Sequence, residues 1–461
     1  MSVLAAVAVP HPPIIMPSVG KGEEKKIEKT MTAYRQAMRR AASFAPDTVV
    51  LISPHAEMYA DYFHISPGQR ATGDLTQFGA PDVKIDACYD SAFVNALSSL
   101  AYGKNLPAGT LGAKNTRLDH ASVIPLAFLS AEYTGFKLVR IGLSGLGASE
   151  HYRLGRLIAD VSENLGRKTL VIASGDLSHR LKAEGPYGYA EEGPAFDKTV
   201  VDCLRTGDFL KLLEIAPDFA EAAGECGLRA FQIMAGTLDK RNVKSDLLSY
   251  EGPFGVGYCV AFFEPDGENA SRDIGKQYEN AQQEKIRSSR LKEDPYVRLA
   301  RQTLESWVRD AIKPMLPGNL PEELTAQRAG AFVSIKKHGM LRGCIGTISP
   351  TEATLAEEIM RNAISAGTAD PRFDPVREEE LDALVYSVDV LSAAEPIASE
   401  CELNVRRYGV IVQSGYRRGL LLPDLEGVDT PQKQIAIAKQ KAGIGPNEKT
   451  ALYRFEVVRH T

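Results

Sequence analysis

Residues 7–17 read VAVPHPPIIMP. The apolar run that begins at Val3 stops at Pro10, and His11 stands among Pro10, Pro12 and Pro13. A short apolar run bounded by proline is the pattern of a strand buried on both faces. Proline fixes φ on either side of the imidazole, so the histidine is presented from a stiff turn. The same grammar returns in DTVVLISPH, residues 47–55, where strand, proline and His55 follow one another. A third strand-like run, KTLVIAS at 168–174, leads into GDLSH and places His179 just beyond its end.

Working outward, FKLVRIGL (136–143) and GYCVAFFE (257–264) read as further strands. Between the strands, EKKIEKTMTAYRQAMRRAA, SAFVNALSSLA, SEHYRLGRLIADVSENL and ECGLRAFQIMAGTLD carry apolar residues at three- and four-residue spacing, the mark of helices. This alternation predicts an α/β domain over residues 1–264, a central sheet flanked by helices. From Pro265 to Glu293 large apolar residues are scarce and charges dense, which predicts a charged linker or a solvated helix. A helix with Pro295 in its first turn opens a second, α+β domain over 294–461, with strands in AGAFVSIKKHG, ALVYSVDVLS, GVIVQSG and RGLLLPD. No internal repeat is visible.

The bulk numbers fit two domains. The 461 residues are 44% hydrophobic and 25% charged with a net charge of −5, the profile of a globular protein without a dominant phosphate-binding surface. Six cysteines lie far apart with no CxxC pair, so neither a disulfide framework nor a zinc ribbon is indicated. MSVLAAVAV lacks a basic leader and breaks at Pro10, far short of the ~20 apolar residues of a membrane span. A cytoplasmic location is expected; a homo-oligomer stays open.

In open α/β sheets the loops after the strand carboxyl ends line the binding crevice, so His11, His55 and His179 are placed to converge. His120, in RLDHASVIPLAFL, precedes an apolar helix. Imidazole lone pairs suit Fe(II), Zn or Cu, and a two-histidine, one-carboxylate face suits oxygen chemistry on Fe(II). Glu225, in AAGECGLRAF, is the expected third metal ligand beside His11 and His55. Its neighbour Cys226 is an alternative donor, favouring a softer or structural metal, and a helix-capping role for Glu225 is equally compatible with its place. Asp176 is placed to orient an imidazole or to close a turn. His64, His151, His338 and His460 lack such contexts.

The set VPHPP at His11, SPH at His55, LDHAS at His120, SGDLSH at His179 and GECG at Glu225 resembles, in this order, the class III extradiol ring-cleavage dioxygenases. These share the LigB-type fold with Memo proteins. The resemblance covers about the first 264 residues and implies Fe(II) held by His11, His55 and Glu225, with His179 as general acid/base and His120 touching the substrate. A catechol-like diol and O2 are the implied reactants. Memo proteins place a cysteine ligand where Cys226 falls, so His11, His55, His179 and Cys226 form the alternative set, implying a metal-binding interaction module.

From about Asp294, AFVSIKKHGMLRGCIGTISP, ADPRFDPVREEELDALVYSVDVLS and RRGLLLP resemble the AMMECR family across the whole domain. The fusion resembles the A proteins of AmmeMemoRadiSam systems, which implies Memo-like and radical-SAM partners. In LRGCIGT, Gly343 and Gly346 permit a tight backbone course, Arg342 offers charge, and Cys344 is either a nucleophile or a small buried residue. Asp370, Arg372 and Phe373 of ADPRFDP either pin a loop or line a groove with that motif.

Overall fold

A computed structural model describes residues 2–114, 117–425 and 427–461. The chain divides into two compact units, 1–280 and 281–461. The first is built on six strands: β1 (Val3–Val9), β2 (Thr48–Ser53), β3 (Lys137–Gly142), β4 (Thr169–Ser174), β5 (Arg241–Glu251) and β6 (Tyr258–Glu268). Their order across the sheet is β3-β2-β4-β1-β6-β5. The first four are mutually parallel, and β6 and β5 are added antiparallel.

β2 and β4 are buried along their full length and β1 nearly so, because helices cover both faces of the sheet. This is why these strands read as unbroken apolar runs rather than alternating ones. One core packs around Val50, Ile52, Val171 and Phe263, the other around Val49, Leu51, Ile172 and Phe262. Successive residues of each strand thus feed opposite cores, the period-two rule of a pleated sheet.

The covering helices include α1 (Glu28–Ser43), α2 (Ser91–Gly103), α3 (His120–Ser130), α4 (Ala148–Asn164), α5 (Glu192–Thr206) and α6 (Leu228–Gly236). In two of them an acid at the N-cap position itself is the acceptor: Asp90 accepts from the Phe93 amide at 3.2 Å and Asp119 from the Ser122 amide at 2.9 Å. The antiparallel pair 70–75 and 80–88, absent from the sequence reading, is a half-exposed hairpin whose alternation is interrupted by Pro81 and Gly73.

The charged stretch after Pro265 is mostly regular structure. β6 runs on to Glu268, and α7 (Ile274–Lys292) follows, with Ile274 and Tyr278 packed in the first core. The division between the two units falls inside this helix.

In the second unit, α8 (Pro295–Asp310) is capped by Asp294 and lies with α9 (Leu355–Thr368) against a four-stranded antiparallel sheet. Its order is β8 (Met340–Gly346), β7 (Ala331–Lys337), β9 (Leu384–Leu391), β14 (Val457–His460). A second antiparallel sheet runs β10 (Glu395–Ile397), β13 (Ala451–Phe455), β11 (Gly409–Ser414), β12 (Arg417–Leu421), covered by α10 (Pro431–Lys441).

Glu380 ties the first of these sheets to the segment before β9. It receives Nε and Nη2 of Arg342 at 3.1 and 2.9 Å, Nζ of Lys337 at 3.0 Å and the Arg377 amide at 3.1 Å. Burial alone would raise this carboxyl; the Arg342 fork, the amide and Lys337 reverse that and push it down to about 2. A depressed folded-state pKa stabilises above the unfolded value near ~4.3, and that stability is lost as pH falls through the folded value. Glu380→Gln is therefore expected to cost about 2 kcal/mol at pH 7, with the gap to wild type closing between about pH 4 and 2. Urea unfolding followed by the fluorescence of Trp307, the chain's one tryptophan, reads this unit directly; a pH-independent gap would refute the assignment.

Candidate metal centre

The parallel register brings three strand ends level. Val9 pairs with Ser174, and Ile52 with Ala173. His11 and His55 each follow their strand by a single proline, while His179 follows after the GDLS loop. That loop is pinned: the Gly175 amide donates to Val9 O at 2.9 Å, the Leu177 amide to Gly257 O at 2.9 Å, and the Ser178 amide to Asp197 at 2.7 Å.

The histidine rings converge. Ring centroids of His11 and His55 lie 5.0 Å apart, those of His55 and His120 4.4 Å, and those of His11 and His120 5.4 Å. Nδ1 of His11 faces Ser174 Oγ at 3.0 Å, which leaves Nε2 turned into the cluster. The His11 amide donates to Asp176 Oδ1 at 2.8 Å, so backbone and ring are both fixed. Asp119, the cap of α3, also accepts from Ser53 Oγ at 2.7 Å, and Ser53 Oγ in turn receives the His55 amide at 3.2 Å. One carboxylate thus links the turn of His55 to the helix of His120.

The further donor is Cys226. Its Sγ lies 3.7 Å from Nε2 of His11 and 3.9 Å from Nε2 of His179, and it receives the Asp176 amide at 3.3 Å. Gly175 makes this approach feasible, since a Cβ there would stand 2.2 Å from the Cα of Gly227. Donor atoms of His11, His55 and Cys226 all lie within 4.8 Å of one another. Glu225, expected to be the third ligand, is placed otherwise: its Oε2 accepts the amide of Leu228, the first residue of α6, at 2.6 Å. An acid at a helix start satisfies an orphan amide and the positive end of the dipole, and here that role takes the side chain.

The donor set fits a metal. Ligands at ordinary nitrogen and thiolate bond lengths, ~2.1 and ~2.3 Å, stand about 3.6 Å apart around a tetrahedral ion, close to the 3.7 Å between Cys226 Sγ and His11 Nε2. Burial, with the neighbouring imidazoles, lowers His11; burial lowers His55 and His179 and takes His120 to about 4. All four imidazoles are therefore neutral at pH 7, with lone pairs available. Burial, with Asp176 and Glu225, raises the Cys226 thiol, so a proton leaves it when a cation binds. Burial takes Asp176 and Glu225 to about 7. At the mouth, Tyr187 lies tilted over His179 at 5.0 Å and Phe78 meets the edge of His120 at 5.3 Å.

Several of these groups escaped the sequence reading. Ser174 sits within SGDLSH and Asp119 directly before His120, both visible as polar residues at the termini of predicted elements. Tyr187 carries no pattern that marks it. Arg140 lies in the middle of FKLVRIGL, a cation flanked on both sides by apolar residues.

In the second unit, the ADPRF loop is pinned. Asp370 accepts the Cys344 amide at 2.9 Å and forks onto Arg372, whose guanidinium holds its carboxyl well below the usual range. Cys344 is half-buried, its Sγ receiving Ser334 Oγ at 3.2 Å. Gly343 is required by close approach, since a Cβ there would meet Ala366 O at 2.1 Å. Arg342 is spent on Glu380.

Fold and site together define an α/β domain with a candidate metal site, joined to an α+β domain. Residues 5–261 match the family described as the catalytic LigB subunit of aromatic ring-opening dioxygenase, and residues 297–460 match AMMECR1. The chain belongs to the LigB family and carries an AMMECR1 domain at its C-terminal end. It is 40% identical to Protein CA_C1420 of Clostridium acetobutylicum over 100% of this chain and 99% of that one. A Thermotoga maritima protein is 52% identical over 36% of this chain and 98% of its own. Among solved structures, an uncharacterized protein from Pyrococcus horikoshii, PH0010, matches with 34% identity and TM-score 0.34, covering 36% of this chain and 88% of its own.

Anaerobic titration with ferrous iron separates the two adjacent residues. His11→Ala and Cys226→Ala are expected to weaken binding at least about tenfold. Glu225→Gln is expected to leave it near wild type while lowering stability by about 1 kcal/mol. The reverse order of effects would return the ligand role to Glu225.

Proposed function

We propose that the N-terminal domain is a metal-dependent oxidoreductase that uses O2 on a catechol-like or related hydroxylated aromatic substrate. The ion is Fe(II) or Cu, held by His11, His55 and Cys226. The observation that carries this reading is the convergence of those three donors with two further imidazoles, His120 and His179, that the metal does not need. Imidazole and thiolate ligands suit both ions.

Bound there, a redox-active ion supplies the electron exchange with dioxygen that the side chains lack. The protein residues do the rest. His179, neutral at pH 7, takes the proton of a substrate hydroxyl at a ring nitrogen and returns it once the ring has opened, work that suits a group titrating near or below neutrality. His120, on the first turn of α3, accepts a hydrogen bond from the second hydroxyl and fixes the ring's orientation. Phe78 and Tyr187 pack against the rings of His120 and His179 and limit their rotation. Both oxygen atoms enter the product, so the reaction needs no external reductant.

A second reading rests on one observation, the thiol standing where ring-cleaving chemistry expects a carboxylate. It makes the domain a Memo-like metal-binding module that works with Memo-like and radical-SAM proteins without turning over O2. Oxygen consumption by iron-loaded and copper-loaded protein, offered a panel of catechols, discriminates. Uptake is expected with one ion, and His179→Gln is expected to lower turnover about 100-fold or more at unchanged metal content. Fully loaded protein that consumes no oxygen with any diol sinks the enzyme reading and leaves the binding module.

A further inference from the structure

Arg140 sits in the middle of β3, between Val139 and Ile141 and paired in register with Leu51. It is 1% exposed. Taking a guanidinium out of water is costly, and an apolar residue would suit a sheet interior at least as well, so fold stability alone does not account for it. Its contacts suggest another purpose. Nη2 donates to Glu57 Oε2 at 3.0 Å, Nη1 to Arg117 O at 2.7 Å with Asp119 Oδ2 at 3.6 Å, and Nε to Ser66 Oγ at 2.7 Å.

These partners lie on two segments far apart in sequence. Glu57 stands two residues after His55, and Asp119 directly precedes His120. We propose that Arg140 is a positioning residue for the metal centre: its guanidinium fixes the spacing of His55 and His120 by clamping Glu57 behind one and Asp119 ahead of the other. The planar fork is what lets one side chain grip both segments, and a lysine, with one point of charge, cannot. The Ser53 bridge between Asp119 and the His55 amide completes the frame. His11 and Cys226 stand outside it, held by Ser174 and the Asp176 amide. Arg140 therefore governs one half of the site only.

The inference rests on the metal-centre reading, and the test separates the two. Full-length protein is titrated anaerobically with Co(II), recording the d–d bands and the thiolate-to-cobalt charge-transfer band. Wild type is expected to show both. Arg140→Lys is expected to keep the charge-transfer band, since Cys226 is held independently, while its d–d bands shift and cobalt binds about tenfold more weakly. Glu57→Gln is expected to lose less, in the same direction. Tyr152→Phe, which removes a buried hydrogen bond to Asp239 in the same domain, is expected to lower the Tm and leave the spectrum alone. Wild-type affinity and spectrum in both Arg140→Lys and Glu57→Gln, whatever their Tm, overturn the positioning role and spare the metal centre. A wild type that binds cobalt without a charge-transfer band overturns the Cys226 assignment alone, and a wild type that binds no cobalt overturns the metal-centre reading and this inference with it. Should Arg140→Lys fail to fold, Glu57→Gln and Asp119→Asn decide by the same readouts.

Discussion

Val9 pairs with Ser174 and Ile52 with Ala173, so three parallel strands finish on one line. The convergence of His11, His55 and His179 follows from that register. Adjacent strands lie ~4.8 Å apart; the imidazoles of His11 and His55, two residues past their strands, and that of His179, five past its own, span the remaining distance inward. The prolines at 10 and 54 keep each chain from continuing as a strand, and the turns they begin give each ring one direction. A slip of one residue in any pairing would turn a histidine to the opposite face and dissolve the cluster. The sheet can hold so exact a register because its central strands are buried on both faces, where misplacement costs apolar contact on two sides at once.

Much of this was legible in the sequence because it is written in local rules. Unbroken apolar runs mean doubly covered strands, and VAVPH, LISPH and SGDLSH repeat one device at successive strand ends. The two-part division shows in composition, although the charged stretch proves to be largely β6 and α7; a helix with only Ile274 and Tyr278 buried leaves little periodicity to detect. What sequence could not supply was direction at the start of a helix. Glu225 and Cys226 are neighbours, and while the carboxylate has a local acceptor role three residues on, the direction of the thiol is set by Asp176 and His11, a tertiary fact. The Leu228 amide takes the carboxylate, and the thiol, one residue on, is left to face His11. Arg140 was hidden for a related reason, because a cation in the middle of an apolar strand declares burial without declaring its partners.

The exchange of carboxylate for thiol has an electrostatic consequence. Asp176 already lies beneath the cluster, its Oδ2 4.0 Å from Nε2 of His11, in surroundings that lift its pKa to about 7. A second carboxylate turned into the same space would raise both acids further, since like charges resist ionising together. A thiol avoids that conflict. It stays neutral while the site is vacant of charge and becomes an anion only when a cation arrives to share the proton's place. The Asp176 amide, already aimed at Sγ, then stabilises that anion without any rearrangement of the backbone. Loading such a site would release the thiol's proton, so affinity for a cation there is expected to rise with pH.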